Sequence, residues 1–146
     1  MTDLLTLFTQ AAKLLREAAD EAMSQHGVRV GQHIVLSALW DQDGLTPGEI
    51  ARRLGVATPT IVNTATRMEE AGLVTRKPDS ADARLVRLYL TPSGQSAREP
   101  VREARATLER HATATLTAAE LENLRSALAK ISAQLQGQPR PAATRQ

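Results

Sequence analysis

Two short helices with a three-residue gap between them dominate the middle of this chain, and they leave few folds open. Thr46-Pro47-Gly48-Glu49 forms a capping box: the Thr46 hydroxyl accepts the Glu49 N–H, and Glu49 reaches back to Thr46 N–H. Pro47 takes the first helical position, where no intrahelical donor is lost. The helix runs to Leu54 and breaks at Gly55. Thr58-Pro59 repeats the cap-plus-proline signal and opens a second helix through about Ala71, which Gly72 closes. Ala51 is small where the two helices must approach, Gly55 supplies the turn's permissive backbone, and Val56 and Ile61 are expected between the helices. Ile61, Ala65 and Met68 share one face of the second helix, which leaves Thr58, Thr60, Asn63 and Arg67 largely off that face.

Two strand-like runs follow, Leu73–Lys77 and Leu85–Leu90, joined by the polar loop Pro78-Asp79-Ser80-Ala81-Asp82-Ala83. Helix, tight turn, helix and hairpin in this order make a winged helix-turn-helix. On its flanks, residues 3–24 repeat Leu4, Phe8, Ala11, Leu15, Ala18 and Ala22 at helical spacing, with Gly27 as terminator. A further helix covers about Gln32–Trp40 and stops at Asp41-Gln42-Asp43-Gly44. Thr91-Pro92 starts a long helix with Ala97, Val101, Ala104, Leu108 and His111 in register. Pro100 within it allows either a kink or a later true start. Thr117-Ala118-Ala119-Glu120 caps a last helix with the stripe Leu121, Leu124, Leu128, Ile131 and Leu135. The expected class is mainly α with a small β-hairpin wing, as one domain over 1–135, and residues 136–146 read as a disordered tail.

Composition agrees. With one Phe, one Trp and one Tyr, the core must be aliphatic, which suits packed helices. No cysteine means no disulfide framework and no thiolate metal site. No run approaches the roughly 20 apolar residues a membrane span requires. The start of the chain lacks the basic region and cleavage site of a secretory leader, so a cytoplasmic chain is expected. The formal charge of +2 is unevenly spread: residues 46–91 hold seven basic and five acidic side chains, residues 1–45 three and six. The positive excess lies where a central DNA-contacting module would need it. Threonines can bond phosphates or touch thymine methyls, Asn can read adenine, and Arg can read guanine or hold a phosphate. Around the hairpin, Arg76, Lys77, Arg84 and Arg87 make the wing basic.

The segment Leu45–Gly94, and within it "GLVTRKPDSADARLVRLYLTPSG", resembles the core of the multiple antibiotic resistance regulator (MarR) family. The carrying features are Gly-Leu-Val, a basic pair, an acidic loop, Asp82-Ala83-Arg84, and a strand ending in Leu-Thr before a glycine. The resemblance implies a ligand-responsive repressor that binds a palindromic operator as a homodimer through helices at about 3–26 and 92–135, flanking a DNA-binding lobe at about 32–91. It assigns Thr58, Thr60, Asn63 and Arg67 to the recognition helix; the basic hairpin residues Arg76, Lys77 and Arg87 are expected as further DNA contacts. Arg84 falls at the wing tip in the minor groove, with Asp82 positioning it. It also implies a small aromatic or phenolic effector, for which His33 and Trp40 would be the polar and aromatic lining. Packing is the plainer reading of both. Thr64 and Asn63 depart from the family pattern, which has an apolar and a basic residue there. Metal sensing is an alternative, but no two of His26, His33 and His111 have helical ligand spacing, and His111 reads as a core or interface residue. A winged-helix protein-interaction module without DNA binding is the other rival. No phosphate loop, nucleophile elbow or metal motif supports an enzyme.

Overall fold

A computed structural model describes residues 1–137. Its elements are α1 (Leu4–Ser24), α2 (Val30–Asp41), α3 (Pro47–Leu54), α4 (Thr58–Glu70), β1 (Val74–Pro78), β2 (Val86–Leu90), α5 (Pro92–Ser96), α6 (Arg98–Ala112) and α7 (Ala118–Gly137). The chain divides into two units, Met1–Glu109 and the remainder from Arg110.

In the first unit, Leu36, Leu39, Ile50, Ile61, Met68, Leu88 and Val101 are fully buried in one aliphatic core. Each stabilises the fold by roughly 1.5–3 kcal/mol through burial. Only the last turns of α1 reach that core, through Ala19 and Met23. Leu4, Leu5, Leu7, Leu14 and Leu15 of the same helix are exposed.

Helix α2 starts at Val30, two residues before the expected Gln32, because α1 caps it. Asp20 accepts the Val30 N–H at 3.0 Å and pairs with the Arg29 guanidinium at 2.9 and 2.7 Å. That pairing holds the Asp20 carboxyl below its ordinary range. Helix α3 has the expected cap, Thr46 Oγ1 accepting Glu49 N–H at 3.1 Å and Glu49 Oε2 accepting Thr46 N–H at 3.0 Å. Gly55 ends it in the left-handed region, φ 67°. For α4 the cap is Ala57, without a side-chain bond, and Thr58 is the first helical residue rather than the cap. Proline is as well tolerated at the second helical position as the first, so the Thr-Pro pair slides by one. Val56, expected between the two helices, is 36% exposed.

The strands pair antiparallel, with Val74 opposite Leu90, Arg76 opposite Leu88 and Pro78 opposite Val86. Both begin one residue later than the pattern suggested. Leu73 N–H is taken by Met68 O, and Leu73 O by Thr91 N–H, while Leu85 bonds into the loop through Asp82 O. The helix expected from Pro92 is divided at Ala97. Pro100 has no N–H for the Ser96 carbonyl and its ring crowds it, so α5 stops at Ser96 and α6 resumes from Arg98.

In the second unit, Thr117 and Glu120 close a reciprocal cap at 3.1 and 3.3 Å and start α7. No residue of α7 is buried; Leu124, Leu128, Ile131 and Leu135 form an exposed apolar stripe. His111 is exposed in the single chain. The helix continues through Gly137, so the expected start of the tail at Gln136 falls inside it, and residues 138–146 lie outside the described residues.

Candidate nucleic-acid interface

Helix α4 is oriented by what it buries. Ile61, Ala65 and Met68 are completely inaccessible, which turns Thr60, Asn63 and Arg67 outward on the opposite side, with Thr58 at the N-terminal end. All four are exposed. Among the described residues, the side chains of Asn63 and Arg67 form no hydrogen bond or ion pair within the chain, so their donors face solvent. Thr64 is half-buried on the flank and bonds Thr60 O at 2.9 Å, so it tolerates the family's apolar position without an unsatisfied hydroxyl.

The four wing cations adopt four different settings. Arg84 is free to reach outward: its side chain is 90% exposed, and Asp82 holds it by Nε–Oδ1 at 3.1 Å and Nη2–Oδ2 at 3.3 Å. The expected Asp82–Arg84 pairing is therefore formed, and it lowers the Asp82 carboxyl. Lys77 lies 5.5 Å from the centre of the Tyr89 ring, with its ammonium over the aromatic face. Arg76 leans on α4 instead of standing free, donating Nη2–H to Thr66 Oγ1 at 2.6 Å and to Val62 O at 3.2 Å.

Arg87 departs from its assignment as a DNA contact. Only 28% of its side chain is exposed. The guanidinium turns into the base of the wing, donating to Asp79 Oδ1 at 2.6 Å and Gly44 O at 2.9 Å, with Glu49 at 3.7 Å. Three acceptors in a half-shielded niche outcompete solvent for a planar fork of donors. The pair pulls the Asp79 carboxyl down and raises Arg87.

Thr66 is the residue the sequence pattern left out. It lies one turn beyond Asn63 on the exposed side of α4, and its hydroxyl donates to Val62 O at 3.1 Å while accepting from Arg76. Stepping by three from Thr60 through Asn63 would have found it, since positions three apart are neighbours on one face.

His33 and Trp40 pack against each other, ring centres 6.0 Å apart and nearly edge-on. The Trp40 indole N–H is taken by Gly94 O at 2.9 Å, pinning α5 to α2. Burial, with help from the Arg105 charge, pushes His33 down to about 4, so it is neutral at physiological pH. Neither residue lines the open cleft of about 530 Å³ bounded by Arg16, Glu17, Asp20, Arg29, Gln32, Thr64 and Arg67. His33 and Trp40, expected to line an effector site, pack against each other, and this cleft adjoins α4. Among the described residues no group of three His, Cys, Asp or Glu could hold a metal ion, and no helix is long and apolar enough to cross a membrane.

Comparison with known proteins agrees with this geometry. Residues 26–85 match the model of the MarR family. The chain is 30% identical over 112 residues to the transcriptional repressor MdtR of Bacillus subtilis, covering 77% of this chain and 72% of that protein. It is 33% identical over 85 residues to the transcriptional regulator TtmR of Methylorubrum extorquens, and the match spans 44% of that relative and 58% of this chain. Among solved structures, S. aureus MepR in complex with DNA superposes with a TM-score of 0.82 at 27% identity, over 92% of this chain and 100% of that one. The C80S mutant of E. coli MarR with operator DNA gives 0.79 at 25% identity, over 89% and 99%. A hairpin wing carrying the Asp82–Arg84 pair, a buried-faced α4 and these matches lead to one assignment: the chain belongs to the MarR family of transcriptional regulators.

Proposed function

We propose that this chain is a cytoplasmic, DNA-binding transcriptional repressor that engages a palindromic operator as a homodimer. The carrying observation is the pairing of two exposed donor sets, Thr60, Asn63 and Arg67 on α4 and Arg84 at the wing tip, around a helix whose other face is wholly buried. Helix α4 reads base edges in the major groove, and Arg84 meets the backbone or minor groove beside it. MepR and MarR in their DNA complexes support this reading as structural relatives. The exposed apolar stripes of α1 and α7 are what a dimer would cover, and dimer geometry then sets half-sites about one helical turn apart. The cleft beside Arg67 is the place for a small effector, where binding would compete with DNA for that guanidinium.

Titration onto duplex DNA from upstream of the chain's own gene tests the proposal, with an unrelated duplex as control and two salt concentrations. Two subunits per site and steep salt sensitivity are expected. Arg84→Ala weakens binding on every sequence. Asn63→Ala relaxes discrimination at one base position by about 1–3 kcal/mol. Absence of binding to either duplex at low salt overturns the reading in favour of a protein-interaction module.

A further inference from the structure

The inward turn of Arg87 makes it part of a continuous chain of bonds that ends at the wing tip. At its root, Arg87 meets Gly44 O at 2.9 Å and Glu49 at 3.7 Å, and Glu49 is itself fixed by the α3 capping box. Its Nε–H then holds Asp79 Oδ1 at 2.6 Å. The other oxygen of Asp79 accepts the N–H groups of Ala81 at 3.0 Å and Asp82 at 2.9 Å. Asp82 in turn accepts both the backbone N–H and Nε–H of Arg84 at 3.1 Å. Asp79 N–H closes onto Leu85 O at 2.8 Å, and Leu85 N–H onto Asp82 O at 3.0 Å.

Both carboxylate oxygens of Asp79 are therefore committed, one to the wing root and one to the loop. Losing Arg87 frees the carboxylate to rotate, and the loop N–H groups lose the acceptor that shapes them. The loop is mostly exposed, and these two N–H bonds to Asp79 are among the few that shape it.

We propose that Arg87 and Asp79 are positioning residues that hold Arg84 at the wing tip for its contact with DNA. This rests on the DNA reading above. Neither residue touches DNA in this account; they act through Arg84. A contribution to hairpin stability alone would look different, because its loss would weaken binding whether or not Arg84 were present.

The test is a double-mutant cycle on the full chain, using Asp79→Asn, Arg87→Met and Arg84→Ala singly and combined. The probe is a duplex selected from a random-sequence pool by the wild-type chain. Asp79→Asn and Arg87→Met are each expected to weaken binding about tenfold and to lower the salt slope by about one, the signature of one lost phosphate contact. In the Arg84→Ala background the same changes are expected to cost less than about twofold. Equal losses in both backgrounds overturn the proposal. A DNA-free arm measures ¹⁵N relaxation of the Arg84 Nε–H and the amides of Ala81–Leu85. These become mobile in Asp79→Asn, while thermal melts show the fold retained. If the wild-type chain selects no duplex, the DNA reading falls on its own. The relaxation arm then decides the positioning claim, and an Arg84 signal unchanged in both variants overturns it.

Discussion

Gly94 occupies a helical position in α5 where an alanine would ordinarily be an improvement, worth about 1 kcal/mol in helix propensity. The packing reverses that sign. A methyl group built on Gly94 would lie 2.2 Å from the carbonyl oxygen of Leu73, where ordinary contact begins at 3.4 Å. Roughly 1 Å of separation must be found, and both sides are tied down. Leu73 O accepts Thr91 N–H at 3.0 Å, Gly94 O accepts the Trp40 indole at 2.9 Å, and Gly94 N–H bonds Thr91 Oγ1 at 3.1 Å. Giving way loses one or two of these bonds at about 1 kcal/mol each, on top of an overpacking strain of about 1–3 kcal/mol. After subtracting the propensity gain, Gly94→Ala should destabilise the chain by about 1–4 kcal/mol and lower its melting temperature by roughly 4–15 °C. Thermal and urea melts followed by far-ultraviolet circular dichroism measure this. Gly31→Ala is the matched control: it is also helical, but its added methyl meets nothing within 4 Å, so it should be neutral or slightly stabilising. A Gly94→Ala protein as stable as Gly31→Ala would refute the reasoning.

The acid response of the fold should trace to His33. Its folded value is depressed to about 4 from 6.5, so the unfolded chain takes up a proton as the pH falls through 6.5 while the folded chain does not. Stability is therefore lost between about pH 6.5 and about pH 4, by at most about 3 kcal/mol, and His33→Gln should flatten that part of the urea-midpoint profile. An identical slope in the variant would exclude His33 as the cause. On the exposed stripe of α7, Leu128→Glu should convert the proposed dimer to monomer in sedimentation equilibrium. An unchanged mass would show that this face is not the subunit interface.

What could be read from the sequence followed how locally each feature is determined. Helix α3 was legible to the residue because its cap is made by Thr46 and Glu49, three apart. The start of α2 was not, since its first N–H is capped by Asp20 from the preceding helix. The buried side of α4 followed from the spacing of Ile61, Ala65 and Met68, and the outward set with it. Individual wing cations were a different matter. Composition sees four basic residues near a hairpin, but only the folded chain distinguishes Arg84, facing solvent, from Arg87, drawn inward by Gly44 O and Asp79. The same holds for Trp40, whose polar atom is claimed by a carbonyl 54 residues away, a pairing no local pattern encodes.

That indole has a practical consequence. Trp40 is the only tryptophan in the chain, so its emission is a single-site optical signal. Its N–H is held by Gly94 O and its ring stands 6.0 Å from His33. Fluorescence therefore watches the α2–α5 seam directly: a rearrangement that pulls Gly94 away changes the polarity around the chromophore. An imidazolium at that distance is a quencher where neutral imidazole is a poor one. Without any attached dye, the chain reports the separation of two of its helices by colour and the protonation of one histidine by brightness.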